Sequence, residues 1–311
     1  MQVGDLMAFI QYTMQIIMSF LMITMISIML PRASVSADRI QEVLETEPTI
    51  RDPEKAASFD EKRKGVLEFR NVSFHYPDAD GNVINNVSFT ALPGQTTAII
   101  GSTGSGKSTL VNLIPRFYDV TEGEILLDGV NIREVPQHDL RAKIGYVPQK
   151  GVLFSGTIAT NLKYGRPDMA DGEMEQAARI AQAEDFITAK PDGYDAEIAQ
   201  GGTNVSGGQK QRLSIARAIA VNPEVYIFDD SFSALDYKTD VTLRKALQQV
   251  TAESTVIIVA QRISTILHAE QIIVLDEGNV AGIGTHQELM ESCEVYQQIA
   301  LSQLSKEELA Q

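Results

Sequence analysis

The sequence predicts an α/β domain organised around a phosphate-binding loop and preceded by a single membrane-spanning helix. Three observations carry that prediction. An apolar, β-branched run at 96–100 enters a glycine-rich turn that closes on Lys-Ser-Thr and leads into a helical segment. Downstream, short apolar runs at 225–228, 255–259 and 271–275 are separated by helical segments at 208–221 and 240–250. That alternation suits a parallel sheet with helices on both faces. At the other end, residues 6–31 carry no charge, a run long enough to cross a bilayer once.

Taken in chain order, the apolar run comes first. From 9 to 30 it is mostly Ile, Leu, Met and Phe, broken by Gln11, Gln15, Ser19, Thr24 and Ser27. A secretory leader wants positive charge before the apolar run and small residues after it. Residues 1–5 carry only an acid, and Arg32 and Arg39 follow the run. A spanning helix is the better reading, with its C-terminal, basic side in the cytoplasm. Gln11, Gln15, Met18, Met22, Met25 and Met29 recur at steps of four and three and share one face. That face suits packing against neighbouring membrane helices. It also suits the lining of a path for loosely specified apolar substrates; the sequence leaves both open. A single span cannot enclose a path, so the chain is expected to be the end of a larger membrane protein or one piece of an assembly.

Val35, Ala37, Ile40, Val43 and Leu44 keep helical spacing, so the helix is expected to continue into the cytoplasm until Pro48 and Pro53 stop it. The domain limits that follow are 1–47 for the helix and its extension, 48–65 for a polar linker, 66–305 for the folded domain and 306–311 for a tail. A length of 311 residues suits two domains, or one with an appendage. The net charge of −15 argues against a nucleic-acid partner, which would need a basic face. Cys293 is the single cysteine, so no disulfide can form within the chain, as suits a reducing cytosol.

In the folded domain, Leu67, Phe69, Val72, Phe74 and Tyr76 predict a strand, 78–82 a turn and 83–91 a second strand. Further strands are expected at 124–127 and 143–147, and one long helical stretch at 169–189. Between the first hairpin and these strands, Gly101, Gly106, Lys107 and Ser108 fit the pattern G-x-x-x-x-G-K-[ST]. The residue types match the chemistry. Glycines let the backbone of Gly101, Ser102, Thr103, Gly104, Ser105 and Gly106 turn its N–H groups toward phosphate oxygens. A helix starting near Lys107 and running through Thr109 turns its positive end to the same anion. Lys107 adds a point charge, and the Ser108 hydroxyl is a ligand for Mg²⁺. The run 225–228 ends in Asp229, the position at which phosphate-loop enzymes hold Mg²⁺. Between loop and strand, Val205-Ser206-Gly207-Gly208-Gln209-Lys210-Gln211-Arg212 opens a helix with two glycines, a second place where N–H groups are free for an anion.

With these motifs the chain resembles the ATP-binding cassette (ABC) family, whose signature LSGGQ reads VSGGQ here. The resemblance covers nearly the whole chain and is to exporters of the multidrug or lipid type. It implies an ABC nucleotide-binding domain with a mixed sheet core and a helical subdomain at about 150–215. It also implies ATP and Mg²⁺ as ligands. Tyr76, in Phe-His-Tyr-Pro, matches the aromatic that stacks on adenine. Gln149 matches the glutamine that senses Mg²⁺ and contacts the membrane domain, and 154–158 continues that pattern into the helical subdomain. Ser233-Ala234-Leu235-Asp236 matches the loop that crosses to a partner domain. The apolar helix resembles the last membrane helix of such an exporter, multi-pass in the full protein and set in the plasma membrane, with the five preceding helices absent from this chain. By the same resemblance two cassettes face head to tail. Each ATP lies between the phosphate loop of one and the signature of the other, here Ser206, Gly207, Gly208 and Gln209.

Two positions depart from the family. Where it has Glu as general base, this chain has Asp230; where it has His, this chain has Gln261. The shorter carboxylate changes reach by about 1.5 Å, a misplacement able to cost about a hundredfold in rate. Glutamine donates a hydrogen bond but carries no charge. Residues 199–204 also lack the acidic stretch common in homodimeric exporters. Asp230, Gln261, Lys107 and Gln149 are thus the catalytic set of a degenerate site, in a subunit expected to pair with a distinct half-transporter and to handle a hydrophobic small molecule. The alternatives are a non-hydrolysing regulatory half and a homodimer in which Asp230 is a weaker base. The span and the acidic charge disfavour a soluble DNA-repair ATPase.

Overall fold

The computed structural model describes residues 2–77 and 79–303. The expected tail at 306–311 and Asp78 of the expected turn lie outside the described residues. The chain divides into two units, Met1–Arg51 and Asp52–Gln311.

The first unit is dominated by one α-helix, α1 (Val3–Glu45), of 43 residues. At 1.5 Å per residue it is about 65 Å long, roughly twice the hydrocarbon thickness of a bilayer. It is long and apolar enough to cross a membrane. Its hydroxyls show how a polar group is tolerated in such a run. Thr13, Ser19, Thr24 and Ser27 each donate to the carbonyl four residues back, at 2.8–2.9 Å, so none of them needs water. Pro31 lies inside the helix rather than ending it, and the helix stops at Glu45 with Thr46 extended.

The second unit is built on a six-stranded sheet. Its strands are β3 (Thr96–Gly101), β6 (Ile144–Val147), β9 (Val225–Asp229), β10 (Thr255–Val259), β11 (Gln271–Asp276) and β12 (Asn279–Gly284), in the spatial order β12-β11-β3-β10-β9-β6. All neighbours are parallel except β11 and β12. The period of two in a strand divides the core. Ala98, Ile100, Tyr226, Phe228, Val256 and Ile258 pack into one apolar cluster, and Ile99, Val225, Ile227, Ile257 and Val259 into the other. Both faces are covered, which is why these strands read as unbroken apolar runs rather than as alternating ones. A separate antiparallel sheet, β2-β1-β4-β5, is formed by β1 (Leu67–Phe74), β2 (Ile84–Ala91), β4 (Glu122–Leu127) and β5 (Val130–Asn131). A short pair, β7 (Gly156–Thr157) with β8 (Glu197–Ile198), closes off the helical part.

The remaining helices are α2 (Lys107–Leu113), α3 (Gln137–Ala142), α4 (Ile158–Leu162), α5 (Asp171–Ile180), α6 (Glu184–Thr188), α7 (Gly207–Val221), α8 (Tyr237–Val250), α9 (His286–Ser292) and α10 (Glu294–Gln303). The helix expected as one piece at 169–189 is two, α5 and α6. Gln182 adopts a left-handed backbone (φ 56°). The Ala183 N–H turns back to the Ala178 carbonyl at 2.8 Å, and the Gln182 N–H to that of Arg179 at 3.0 Å, the bond pattern of a helix C-cap. Neither glycine nor proline marks the break, so sequence pattern did not show it. From Asp52 onward, the segment expected as linker is tied to the fold. Asp52 Oδ1 accepts from the Gln137 N–H at 2.9 Å, and the Ala57 N–H reaches the Glu134 carbonyl at 2.8 Å. The Gly65 N–H reaches Asp128 Oδ1 at 2.6 Å. Such bonds need the tertiary fold to supply their partners, which composition cannot report.

Candidate functional site

The strand order determines which side chains meet. β3, β10, β9 and β6 are consecutive neighbours, and the chain leaves their C-terminal ends as the glycine-rich loop, Gln261, Asp229–Asp230 and Gln149 in turn. Ligands in open α/β sheets lie outside such strand ends. A cleft of about 520 Å³ opens there, lined by Gly101, Ser102, Thr103, Gly104, Gly106, Lys107, Ser108, Thr109, Gln149, Asp229, Asp230 and Gln261, among others.

The loop is shaped by two tight spots. A Cβ on Gly101 would lie 2.1 Å from the Leu275 carbonyl oxygen, so only glycine fits beneath β11. Gly106 holds φ at 95° as it starts α2, and a Cβ there would lie 2.7 Å from Ile84 Cδ1; both the dihedral and the space demand glycine. Lys107 folds back over the loop, and its Nζ donates to the carbonyls of Gly101 (2.9 Å) and Ser102 (2.7 Å). Burial pushes its ammonium below the ordinary lysine value, opposed by the charges of Asp229 and Asp230. Burial likewise raises the Asp229 carboxyl; the charge of Asp230 adds to this, while the Ser108 bond and Lys107 oppose it. The cleft wall thus sets the Lys107 ammonium against the two carboxyls of Asp229 and Asp230.

Ser108 Oγ donates to Asp229 Oδ1 at 3.1 Å. A hydroxyl and a carboxylate side by side form a hard oxygen pair of the kind that suits Mg²⁺. Among the described residues, three or more His, Cys, Asp or Glu side chains are nowhere grouped to cage a metal. The pair therefore fits a cation that brings phosphate and water for its other ligands, the usual habit of Mg²⁺.

Asp230 is buried and takes a left-handed backbone (φ 46°), a conformation that Asp tolerates better than most residues. Its Oδ2 accepts from Gln261 Nε2 at 2.6 Å and from Gln149 Nε2 at 3.2 Å. Asp230 and Gln261 are therefore bonded to each other, and a single carboxylate oxygen serves the amides of Gln261 and Gln149.

Other expected residues lie elsewhere. The Tyr76 hydroxyl and Thr109 Oγ1 share a hydrogen bond of 3.1 Å, while the Tyr76 ring meets Phe74 and Tyr118 edge-on. This puts Tyr76 beside α2 and outside the cleft lining. Ser206, Gly207, Gly208 and Gln209 do not line the cleft either. They form the first turn of α7, closed by a reciprocal cap in which the Gln209 N–H donates to Ser206 Oγ (3.2 Å) and the Ser206 N–H to Gln209 Oε1 (3.0 Å). Ser233 Oγ donates to the Asp230 carbonyl at 2.9 Å, and Asp236 caps α8 by accepting from the Thr239 N–H at 3.0 Å.

Sequence reasoning missed several residues. Gln211 is buried in α7, accepts from the Gly151 N–H at 3.1 Å and donates to the Pro148 carbonyl at 3.3 Å. It thereby ties the signature helix to both sides of Gln149. Its signal was an amide spaced four and seven residues from the apolar Ile215 and Ala218, a place where a polar group needs partners. Ser231 Oγ, fully buried, donates to the Val147 carbonyl at 3.0 Å and holds the ends of β9 and β6 together. Ile299, Ser302 and Gln303 of α10 line the cleft from far along the chain, and no local pattern marks them.

Comparison with known proteins agrees with this geometry. Residues 84–233 match the family described as ABC transporter. An uncharacterized ABC transporter ATP-binding protein of Mycobacterium tuberculosis is 49% identical over 306 residues, covering 97% of this chain and 52% of the relative. A proposed multidrug export ATP-binding/permease protein of Bacillus subtilis, YgaD, is 40% identical over 289 residues, covering 93% of this chain and 50% of the relative. The solved structure of a bacterial Atm1-family ABC exporter with ATP bound is 36% identical with a TM-score of 0.86, over 98% of this chain and 53% of the other. The chain thus spans about half the length of the relatives it matches. The unit from Asp52 onward carries the ATP-binding domain of the ABC transporter family, and one apolar helix precedes it.

Proposed function

We propose that this chain is the ATP-binding part of an ABC exporter. ATP binding and hydrolysis between two such domains drive the export of a hydrophobic small molecule or lipid across the plasma membrane. The names of the relatives, a multidrug export protein and an Atm1-family exporter among them, support the exporter class. Binding follows from the cleft. The loop backbone and Lys107 hold the phosphates, exchanging the carbonyls that Lys107 now contacts for anionic oxygens. Ser108 and Asp229 supply oxygen ligands, and Mg²⁺, when bound, neutralises phosphate charge. Closure of two domains on ATP is a population shift: the nucleotide favours the closed state because it touches both halves there.

The observation that carries the finer reading is Asp230. On this reading its carboxylate would take the proton from the attacking water, yet it is short and its Oδ2 already accepts two amide hydrogens. A neutral Gln261 stands where charge would help most. The chain's own site therefore hydrolyses slowly. Its turn at Ser206–Gln209, outside its own cleft, completes the working site of a distinct partner subunit. The test is the ATPase activity of the assembled complex with the partner's catalytic Glu replaced by Gln. Turnover is expected to collapse; near-normal turnover would show that the Asp230 site works by itself and would sink the assignment.

A further inference from the structure

We propose that Gln303, at the end of α10, is a positioning residue that sets how Gln261 meets the terminal phosphate of a nucleotide in the cleft. This rests on the ATP-binding reading above. β10 ends at Val259, and the next regular element begins only at Ile263. On the near side of that gap, the Ala260 N–H is anchored to the Ile99 carbonyl at 3.0 Å. On the far side the anchor is one side-chain amide. Gln303 Nε2 donates to the Gln261 carbonyl at 2.9 Å, and Gln303 Oε1 accepts from the Ile263 N–H at 2.9 Å. A primary amide offers both a donor and an acceptor. Here it imitates a neighbouring strand for the backbone on either side of Arg262. With its backbone clamped, Gln261 extends its own Nε2 to Asp230 Oδ2.

The clamp stands on a fixed element. Tyr296 and Ala300 of α10 are fully buried, the Tyr296 hydroxyl lies 2.8 Å from His286 Nδ1, and Gln297 Nε2 donates to the Met290 carbonyl at 2.8 Å. Ile299, Ser302 and Gln303 share the cleft wall with the glycine-rich loop. The C-terminal helix is therefore part of the nucleotide site, and it acts through the placement of Gln261. Glutamine fits the role, whereas glutamate would lose the donor and lysine the acceptor.

The test uses the full chain in detergent and titrates it calorimetrically with MgADP and with the magnesium complex of adenylyl imidodiphosphate, which has a terminal phosphate and is not cleaved. Gln303→Met keeps the length of the side chain and removes both bonds. MgADP affinity is expected to stay within about two-fold, while the triphosphate analogue weakens about five-fold, as suits one phosphate hydrogen bond. In a Gln261→Ala background, Gln303→Met should have no further effect, the mark of two residues acting as one. Equal weakening of both nucleotides would make Gln303 only a cleft wall. No change in either, or an additive loss in the Gln261→Ala background, would equally overturn the proposal. Gln303 is exposed, so the variant is expected to fold, with thermal unfolding as the control. Failure of the unmodified chain to bind either nucleotide would instead count against the ATP-binding reading itself.

Discussion

The cleft at Lys107 and the turn at Ser206 are both helix N-termini rich in glycine, yet the fold treats them differently. The Lys107 loop is surrounded: β11 presses on Gly101, Ile84 on Gly106, and Asp229, Asp230, Gln261 and Gln149 gather around it from three further strands. The Ser206 turn is bonded to itself through its reciprocal cap, with Ser206 and Gly207 exposed. One is a site assembled within the chain. The other is a self-capped helix start outside that cleft, which the proposed function makes half of a shared site. A helix end with free N–H groups attracts anions wherever it occurs; what makes the first a nucleotide site is the set of side chains that the sheet brings to it.

Three experiments break or sharpen that contrast. The largest effect is expected from Lys107→Met, which removes the only ammonium lining the cleft among the described residues. MgATP affinity of the chain should fall about a hundredfold, the value of roughly two charge-assisted bonds, measured by titration with a fluorescent nucleotide. Retained affinity would mean that the cleft is not where the nucleotide binds. Next comes Asp230→Glu, which lengthens the side chain by one methylene. Single-turnover hydrolysis is expected to rise by about ten- to a hundredfold with little change in affinity; an unchanged rate would overturn the slow-site proposal. The smallest is Ser206→Ala. It removes the cap acceptor and should lower stability by about 1 kcal/mol in a denaturant titration. The nucleotide affinity of the chain's own cleft should stay unchanged, because Ser206 does not line it. A drop in that affinity would join the two regions that the fold keeps apart.

Much of this was legible in the residues. The β-branched runs, the glycine spacing and the terminal Asp229 predicted the parallel strands and the loop, because burial on both faces and phosphate binding each demand particular residue types. The break at Gln182 was not legible. The left-handed Gln182 is held by the capping bonds from its own N–H and that of Ala183, and by Arg212 Nη1, which donates to its carbonyl at 2.7 Å. Nor was the role of residues 52–65, whose hydrogen-bond partners lie at Asp128, Glu134 and Gln137, more than 60 positions away along the chain.

By itself the sequence determined the chemistry on offer: which side chains carry charge, which backbone turns only glycine can make, and which positions hold Asp230 and Gln261. Only the tertiary structure decided who meets whom. It set Gln261 and Gln149 on one oxygen of Asp230, hung Gln211 between the signature helix and the Gln149 loop, and brought Gln303 back to the rim of the cleft. The reason is physical. Residue type follows from local demands that recur in any fold, whereas a hydrogen bond between residues 42 or 81 positions apart exists only once the fold has placed them side by side.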